Sequence, residues 1–303
     1  MKWSLTVLGS SSALPADNRM LSAQLLTTGR HHFLFDCGEG TQFQLRRFKA
    51  PLNKIDAIFI SHLHGDHFFG LFGLLSTYSM YKRENPLRIF AFPQLRDTLE
   101  KVLEAANLRL KFDLQFVELK NDGKELIFED KELKVSSIPL KHSVPVTGFL
   151  VEEKIPELNI KKDFAESHDI PHQWFSRIKN GEDYVDKAGH RYANEDITYS
   201  KRAPKSYAYL SDTAYEPRIA EMVKGVGLMY HEATFAEAEA ADARDKLHST
   251  ASQAALCAKA AGADSLLIGH FSTRYADTRI LEQEAQKIFR ETRCVYDGME
   301  VKF

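Results

Sequence analysis

The chain has 303 residues, of which 44% are hydrophobic and 27% charged, enough for a sizeable core in one large domain. A formal net charge of −2 excludes a globally basic nucleic-acid binder, so any RNA or DNA contact has to be a local patch. Cys37, Cys257 and Cys294 show no metal-site or disulfide spacing, and no apolar run approaches the roughly 20 residues of a membrane span, so a reducing, cytoplasmic setting is expected.

Residues 3–8, 22–28 and 32–36 read as strands between turn-rich segments. The start, Lys2 to Gly9, is apolar but short and broken by Ser4 and Thr6, so a first strand is predicted there rather than a signal peptide. The third strand runs into Asp36-Cys37-Gly38-Glu39-Gly40. Asp36 is either an acceptor behind a metal-bound histidine or a plain turn residue, and spacing does not choose between them. A helix is predicted over Thr41–Phe48, with Phe43, Leu45 and Phe48 on its apolar face.

An apolar strand over 55–60 then leads into Ser61-His62-Leu63-His64-Gly65-Asp66-His67, followed by the apolar start of a helix at Phe68. Three imidazoles and a carboxylate crowded on a strand-to-helix loop are costly unless something collects them, and a divalent metal does that best. Residues two apart on an extended loop face the same side, so His62 and His64 can share one ion. Asp66 and His67 begin the next turn and reach a different point, so one loop can serve two ions about 3.5–4 Å apart.

Further on, a helix is predicted over Gln94–Asn107 and strands over 114–119, 124–129 and 132–138, a mixture that suits a sheet-based α/β sandwich. His142 follows the last of these strands between Pro139 and Pro145 and is a candidate to complete the first ligand set. Residues 151–205 change character: charge is dense and mixed, with short helices predicted near 161–168 and 172–179, and the stretch reads as an inserted arm that grips a partner. Strands then return. One ends at Ser211-Asp212-Thr213, where a carboxylate can bridge two metals, and another at His231-Glu232-Ala233-Thr234. His248-Ser249-Thr250 opens an Ala-rich helix over 250–261, whose N-terminal N–H groups favour an anion such as phosphate. A last apolar strand ends at His270, with Arg274 close behind, before a closing helix near 278–290 and short strands around 293–302. Thus His142, Asp212 and His270 all stand at the C-terminal ends of apolar strands.

These residues together resemble the metallo-β-lactamase fold, and within it the ribonuclease Z family. The His62–His67 cluster marks the superfamily. The His231–Thr234 box, the His248–Thr250 turn, the ending His270-Phe271-Ser272-Thr273-Arg274-Tyr275 and the arm select ribonuclease Z. The resemblance implies an αββα sandwich with an inserted flexible arm, and an endoribonuclease that removes the 3′ trailer from precursor tRNA, leaving a 3′-hydroxyl. It implies two zinc ions per subunit, one on His62, His64 and His142 and one on Asp66, His67 and His270, bridged by Asp212. Asp66 would orient or deprotonate the attacking water, His248 would protonate the leaving oxygen, and Arg274 would hold phosphate charge. Either Glu232 or His231 orients His248, or both only pack. Zinc and manganese both suit these ligands. The arm corresponds to an exosite for the tRNA elbow, presented across a homodimer. The chain departs from the family pattern at Ile170-Pro171-His172-Gln173-Trp174 in the arm and at Pro15-Ala16-Asp17-Asn18-Arg19 in the early loop. The alternative function is a phosphodiesterase on small diesters, or a 3′ exonuclease, of the same fold; a non-catalytic RNA binder would have no use for a full ligand set.

Overall fold

Apolar runs long enough to be buried on both faces dictate a layered molecule. In the computed structural model, which describes all residues except 1–2, 15, 17, 155–157 and 201, they assemble into two seven-stranded sheets. The first sheet has the order Glu300–Lys302, Ser4–Gly9, Ala23–Thr27, His32–Phe35, Ala57–Phe59, Leu87–Ala91 and Leu114–Glu118. The second has the order Thr292–Cys294, Ser265–Gly269, Leu228–Glu232, Ser206–Leu210, Thr147–Glu153, Leu133–Pro139 and Glu125–Glu129. Each sheet is antiparallel on one side and parallel on the other. The expected αββα sandwich is present.

The two sheets meet through an aromatic core. Phe59 stacks on Phe90 at 4.4 Å and on Phe35 at 5.2 Å, and Phe35 reaches Phe149 at 5.8 Å and Tyr209 at 5.5 Å in the facing sheet. Such pairs add about 0.5–1.5 kcal/mol each beyond the area they bury. On its other face the first sheet offers Leu25, Leu34 and Ile58 to Leu71, Leu74 and Tyr78 of the helix Gly70–Met80. That double burial is why the Ala57–Ile60 run does not alternate. The second sheet is covered by the helix Ala251–Ala261, whose alanines pack in the same cluster as Met229, Leu266 and Leu267.

Two strands of the main sheets escape the sequence reading, Leu87–Ala91 and Thr147–Glu153, as do the four short strands of the insertion. Thr147–Glu153 carries the main sheet through residue 153, so the insertion begins later than the expected 151. The helix after the histidine cluster is broken into Gly65–Phe68 and Gly70–Met80. A Cβ at Gly70 would lie 2.0 Å from the Gly38 carbonyl oxygen, so only glycine lets this helix start press onto the Asp36–Gly40 turn. Gln94–Ala105, Ala251–Ala261 and Arg279–Gln286 match the other long helices expected.

The insertion is folded. A two-stranded pair, Leu158–Ile160 with Thr198–Ser200, closes it at the base, and it holds the helices Lys162–Ser167 and His172–Lys179 and a small hairpin of Tyr184–Val185 with Arg191–Tyr192. Ile170, Ile178, Tyr184 and Ile197 form its own small core. Of the early loop, Pro15 and Asp17 lie outside the described residues, while Arg19 donates to the Tyr275 carbonyl at 2.8 Å.

At the rim away from the histidine cluster, His31 ties the sheets together. Its Nε2 lies 2.8 Å from Asp130, in the turn before the Leu133–Pro139 strand, and its Nδ1 lies 3.4 Å from Asp56, beside the first sheet. Burial works to lower the pKa of His31, but the two carboxylates win and raise it above 6.5. The pair's stabilisation is therefore fully present below pH 6.5 and fades as pH rises through the higher folded value. His31→Gln is expected to lower Tm by about 2 °C at acidic pH, consistent with a pair still partly open to solvent, and by less under alkaline conditions. Melting curves across pH check the sign; a deficit that grows with pH would contradict it.

Candidate metal and catalytic site

The parallel strands run the same way, so their C-terminal ends form one edge, and loops leaving that edge carry the polar side chains inward. Ala57–Phe59 feeds His62 and His64, Leu133–Pro139 feeds His142, Ser206–Leu210 feeds Asp212, and Ser265–Gly269 feeds His270. All seven expected ligands converge. His62 Nε2 lies 3.1 Å from His64 Nδ1, which lies 3.3 Å from His142 Nε2. Asp212 Oδ2 faces this set, 3.7 Å from His62 and 3.9 Å from His142. Its other oxygen, Oδ1, faces a second set, 3.4 Å from His67 Nε2 and 3.2 Å from His270 Nε2. Asp66 Oδ2 completes that set at 3.3 Å from His67 and 3.5 Å from His270. One carboxylate therefore looks at both donor groups.

The donors fit metal ions. His67 Nε2 and His270 Nε2 are buried without a hydrogen-bond partner, although carboxylate oxygens lie within 4 Å, because the lone pairs aim at common points rather than at one another. Asp36, Asp66 and Asp212 together press negative charge on His67: burial works against an imidazolium there, yet the three carboxylates raise its pKa well above the ordinary value. A cation at the centre is the charge they call for. Burial first, and neighbouring imidazoles second, hold His62 well below its usual pKa, and burial lowers His142, so both are neutral, as ligation requires.

The far nitrogens of His67, His142 and His270 are held. His67 Nδ1 donates to Asp36 at 2.7 Å, and Asp36 also accepts from the Ser61 amide at 2.7 Å, the Ser61 hydroxyl at 2.9 Å and the Tyr209 hydroxyl at 2.7 Å. Of the two readings of Asp36, the geometry matches the acceptor behind a ligand. His142 Nδ1 donates to the Leu247 carbonyl at 2.9 Å, and His270 Nδ1 to Thr234 Oγ1 at 2.9 Å. These bonds leave Nε2 of each ring free to ligate. Asp36 and His270 also hold left-handed backbone, at φ of 55° and 61°, a strain of about 1 kcal/mol or more that lets each strand end turn its side chain into the cluster.

His248 stands beside this cluster, its Nδ1 2.9 Å from Glu232 Oε1 and 4.0 Å from Asp212 Oδ2. Burial lowers its pKa, but Glu232 and then Asp212 outweigh that and lift it to about 9. Glu232 is wholly buried and fully used: it also accepts from the amides of Thr213, Thr234 and Ser249 and from the Thr234 hydroxyl. Burial works to raise Glu232, and His248 keeps it below the usual glutamate value. His231 does not share this role. It points elsewhere and its Nδ1 lies 2.6 Å from the Glu232 carbonyl, a packing position.

Two expectations change in detail. The helix N-terminus near His248 offers less to an anion than expected, because Thr250 and Gln253 form a reciprocal capping box and the Ser249 amide is taken by Glu232. Arg274 does not reach the metal ligands; it lies at the rim, paired with Asp242 at 3.0 Å and 4.9 Å from the Phe235 ring. The cleft itself, about 650 Å³, is walled by His64, Asp66, His142, His248, Lys246 and Ser272 among others. Ser61, Thr234 and Leu247 were not singled out from the sequence as partners; Ser61 and Thr234 adjoin motif residues, but which atom they face is a tertiary matter.

Several known proteins are similar to this chain in sequence or in fold. Human tRNase Z, short form, superposes with a TM-score of 0.72 at 28% identity, covering 98% of each chain. The metallo-beta-lactamase fold protein YhfI from Bacillus subtilis, at 18% identity and a TM-score of 0.71, covers 100% of this chain and 99% of its own and shares the fold. Residues 3–156 match the family model described as Anti-Pycsar protein Apyc1. Ribonuclease Z of Phocaeicola vulgatus is 40% identical over 300 residues, 99% of this chain and 97% of its own. On that near full-length similarity, the chain belongs to the ribonuclease Z family.

Proposed function

We propose that this chain is a metal-dependent endoribonuclease that removes the 3′ trailer from precursor tRNA by hydrolysis, using two zinc ions per subunit. The observation that carries the reading is Asp212, whose two oxygens face two histidine-rich donor sets while an imidazolium, His248, stands beside them. Divalent ions held by His62, His64 and His142 and by Asp66, His67 and His270, with Asp212, would supply Lewis acidity toward the phosphodiester and the attacking water. His248 donates its proton to the departing 3′ oxygen of the tRNA, leaving a 3′-hydroxyl on the tRNA and a 5′-phosphate on the trailer. Glu232 keeps His248 charged and aimed. Burial tends to raise the pKa of Asp66, but His67 and His270 hold its carboxyl far below the usual range. It accepts from the Ala13 amide at 2.9 Å, so it serves as ligand and orienting acceptor rather than as the resting base. Arg274, once drawn from Asp242, neutralises phosphate at the rim.

The test is incubation of purified protein with precursor tRNA carrying a trailer, with and without chelator and added zinc or manganese. One metal-dependent cut after the discriminator base is expected. Turnover of a model diester with intact precursor would favour the small-diester alternative.

The folded arm is the tRNA exosite in this reading, with His172, Lys179 and Lys187 exposed on it. The arm leaves and re-enters on adjacent strands, since Glu152 pairs with Ser206. A short Gly-Ser turn in place of residues 158–200 therefore leaves the main fold intact. The shortened chain is expected to show a KM for precursor tRNA at least about tenfold higher, with small-diester turnover unchanged. Equal KM values in steady-state assays would assign the arm another role. A homodimer, suited by the exposed Phe43 and Phe69, presents one subunit's arm to the other's cleft. No helix among the described residues is long and apolar enough to cross a membrane, and the unpaired, largely buried thiols suit the cytoplasm.

A further inference from the structure

We propose that Thr234 is a positioning residue: its hydroxyl locks His270 in the tautomer that ligates metal and joins that ligand to the carboxylate that holds His248. The inference rests on the reading of His270 as a ligand. Thr234 is buried, and its Oγ1 lies 2.9 Å from His270 Nδ1, 2.8 Å from Glu232 Oε2 and 3.3 Å from His248 Nδ1. A hydroxyl has one proton to give, and an ionised carboxylate can only accept. The proton of Thr234 therefore goes to Glu232, and its oxygen has only acceptor capacity left for His270. His270 must then carry its proton on Nδ1, which leaves the Nε2 lone pair facing Asp66 and Asp212. His248 Nδ1 has the closer acceptor in Glu232 Oε1 at 2.9 Å and does not compete for the hydroxyl.

The direction of the chain is thus set from one end. Glu232 accepts from His248 on Oε1 and, through Thr234, from His270 on Oε2, so one buried carboxylate orders both the proton donor and a ligand of the second donor set. The first donor set is not tied to Glu232: His62 Nδ1 meets the Ser61 hydroxyl, which is bonded to Asp36, and His142 Nδ1 meets the Leu247 carbonyl. Loss of the Thr234 hydroxyl should accordingly weaken one metal and not the other.

Thr234→Val keeps the branched shape and removes the hydroxyl, and Thr234→Ser keeps the hydroxyl and removes the methyl. Long-range imidazole proton–nitrogen NMR spectra of metal-free protein at alkaline pH should show His270 as the Nδ1–H tautomer in the wild type and Ser variant. The Val variant should show a mixture of tautomers. Chelator competition with zinc should show one of two equivalents bound about 10- to 100-fold more weakly in the Val variant, with the other unchanged and serine restoring it. Turnover of precursor tRNA should fall in kcat with KM unchanged. A Val variant with the wild-type tautomer and zinc affinity overturns the proposal, as does a Ser variant that behaves like valine. If wild-type protein binds no zinc, the ligand reading fails, and the tautomer comparison still decides whether Thr234 sets the state of His270. Thr234→Ala, read by the same spectra, serves if valine disturbs folding.

Discussion

Asp212→Ala is expected to remove bound metal from both donor sets and to reduce cleavage of precursor tRNA at least about 10³-fold, the equivalent of several kcal/mol of lost transition-state stabilisation. The reason is geometric. In the proposed assignment each other ligand serves one set, whereas Asp212 turns Oδ2 to His62 and His142 and Oδ1 to His67 and His270. Loss of the side chain takes one oxygen from each set and also strips a buried negative charge from among the imidazoles. Elemental analysis of dialysed protein and single-turnover cleavage give the two readouts. The variant should also lose the rise in Tm that added zinc gives the wild type, because a ligand that binds only the folded state stabilises it by mass action. Retention of one full metal equivalent with activity intact would show that Asp212 does not bridge.

His248→Ala should separate chemistry from metal binding. It is expected to lose about 10²- to 10⁴-fold in kcat, the usual worth of a general acid, while metal content stays at the wild-type level. Metal loss in this variant would recast His248 as a ligand, an assignment that its proximity to Asp212 and His270 makes worth excluding. The pH dependence has a definite sign. Burial favours neutral His248, but Glu232 and Asp212 raise its pKa to about 9, so it is protonated below that value and loses its proton above it. An acid that must start protonated gives a rate that falls on the alkaline side. Glu232→Gln removes the largest charge holding the proton and should move that fall to lower pH. An alkaline limb that stays in place in Glu232→Gln would argue that another group carries the proton.

Much of this site was legible in the chain. The His62–His67 cluster announces metal through residue type and spacing alone, and His142, Asp212 and His270 announce themselves by their place at strand ends. Glu232 against His231 was not decidable, because adjacent residues on a strand point to opposite sides and nothing local says which side faces His248. Arg274 shows the converse limit: a basic residue near a ligand in sequence is tied at the rim to Asp242, a partner 32 residues away. The strand Leu87–Ala91 gave too little alternation to read, and Thr147–Glu153 ran into the charged stretch that follows, which hid its end.

Residue type and local order determined the chemistry: a strand-to-helix loop with that many imidazoles has one economical use, and the sandwich follows from apolar runs that need cover on both faces. The pairing of atoms was decided only when the two sheets came together. Asp36 finds His67, Thr234 finds His270 and Leu247 finds His142 across the fold, and left-handed backbone at Asp36 and His270 finishes the aim. Side-chain direction at that precision depends on strand register and on a few strained torsions, which are set by packing over the whole molecule and leave no mark in the spacing of residues.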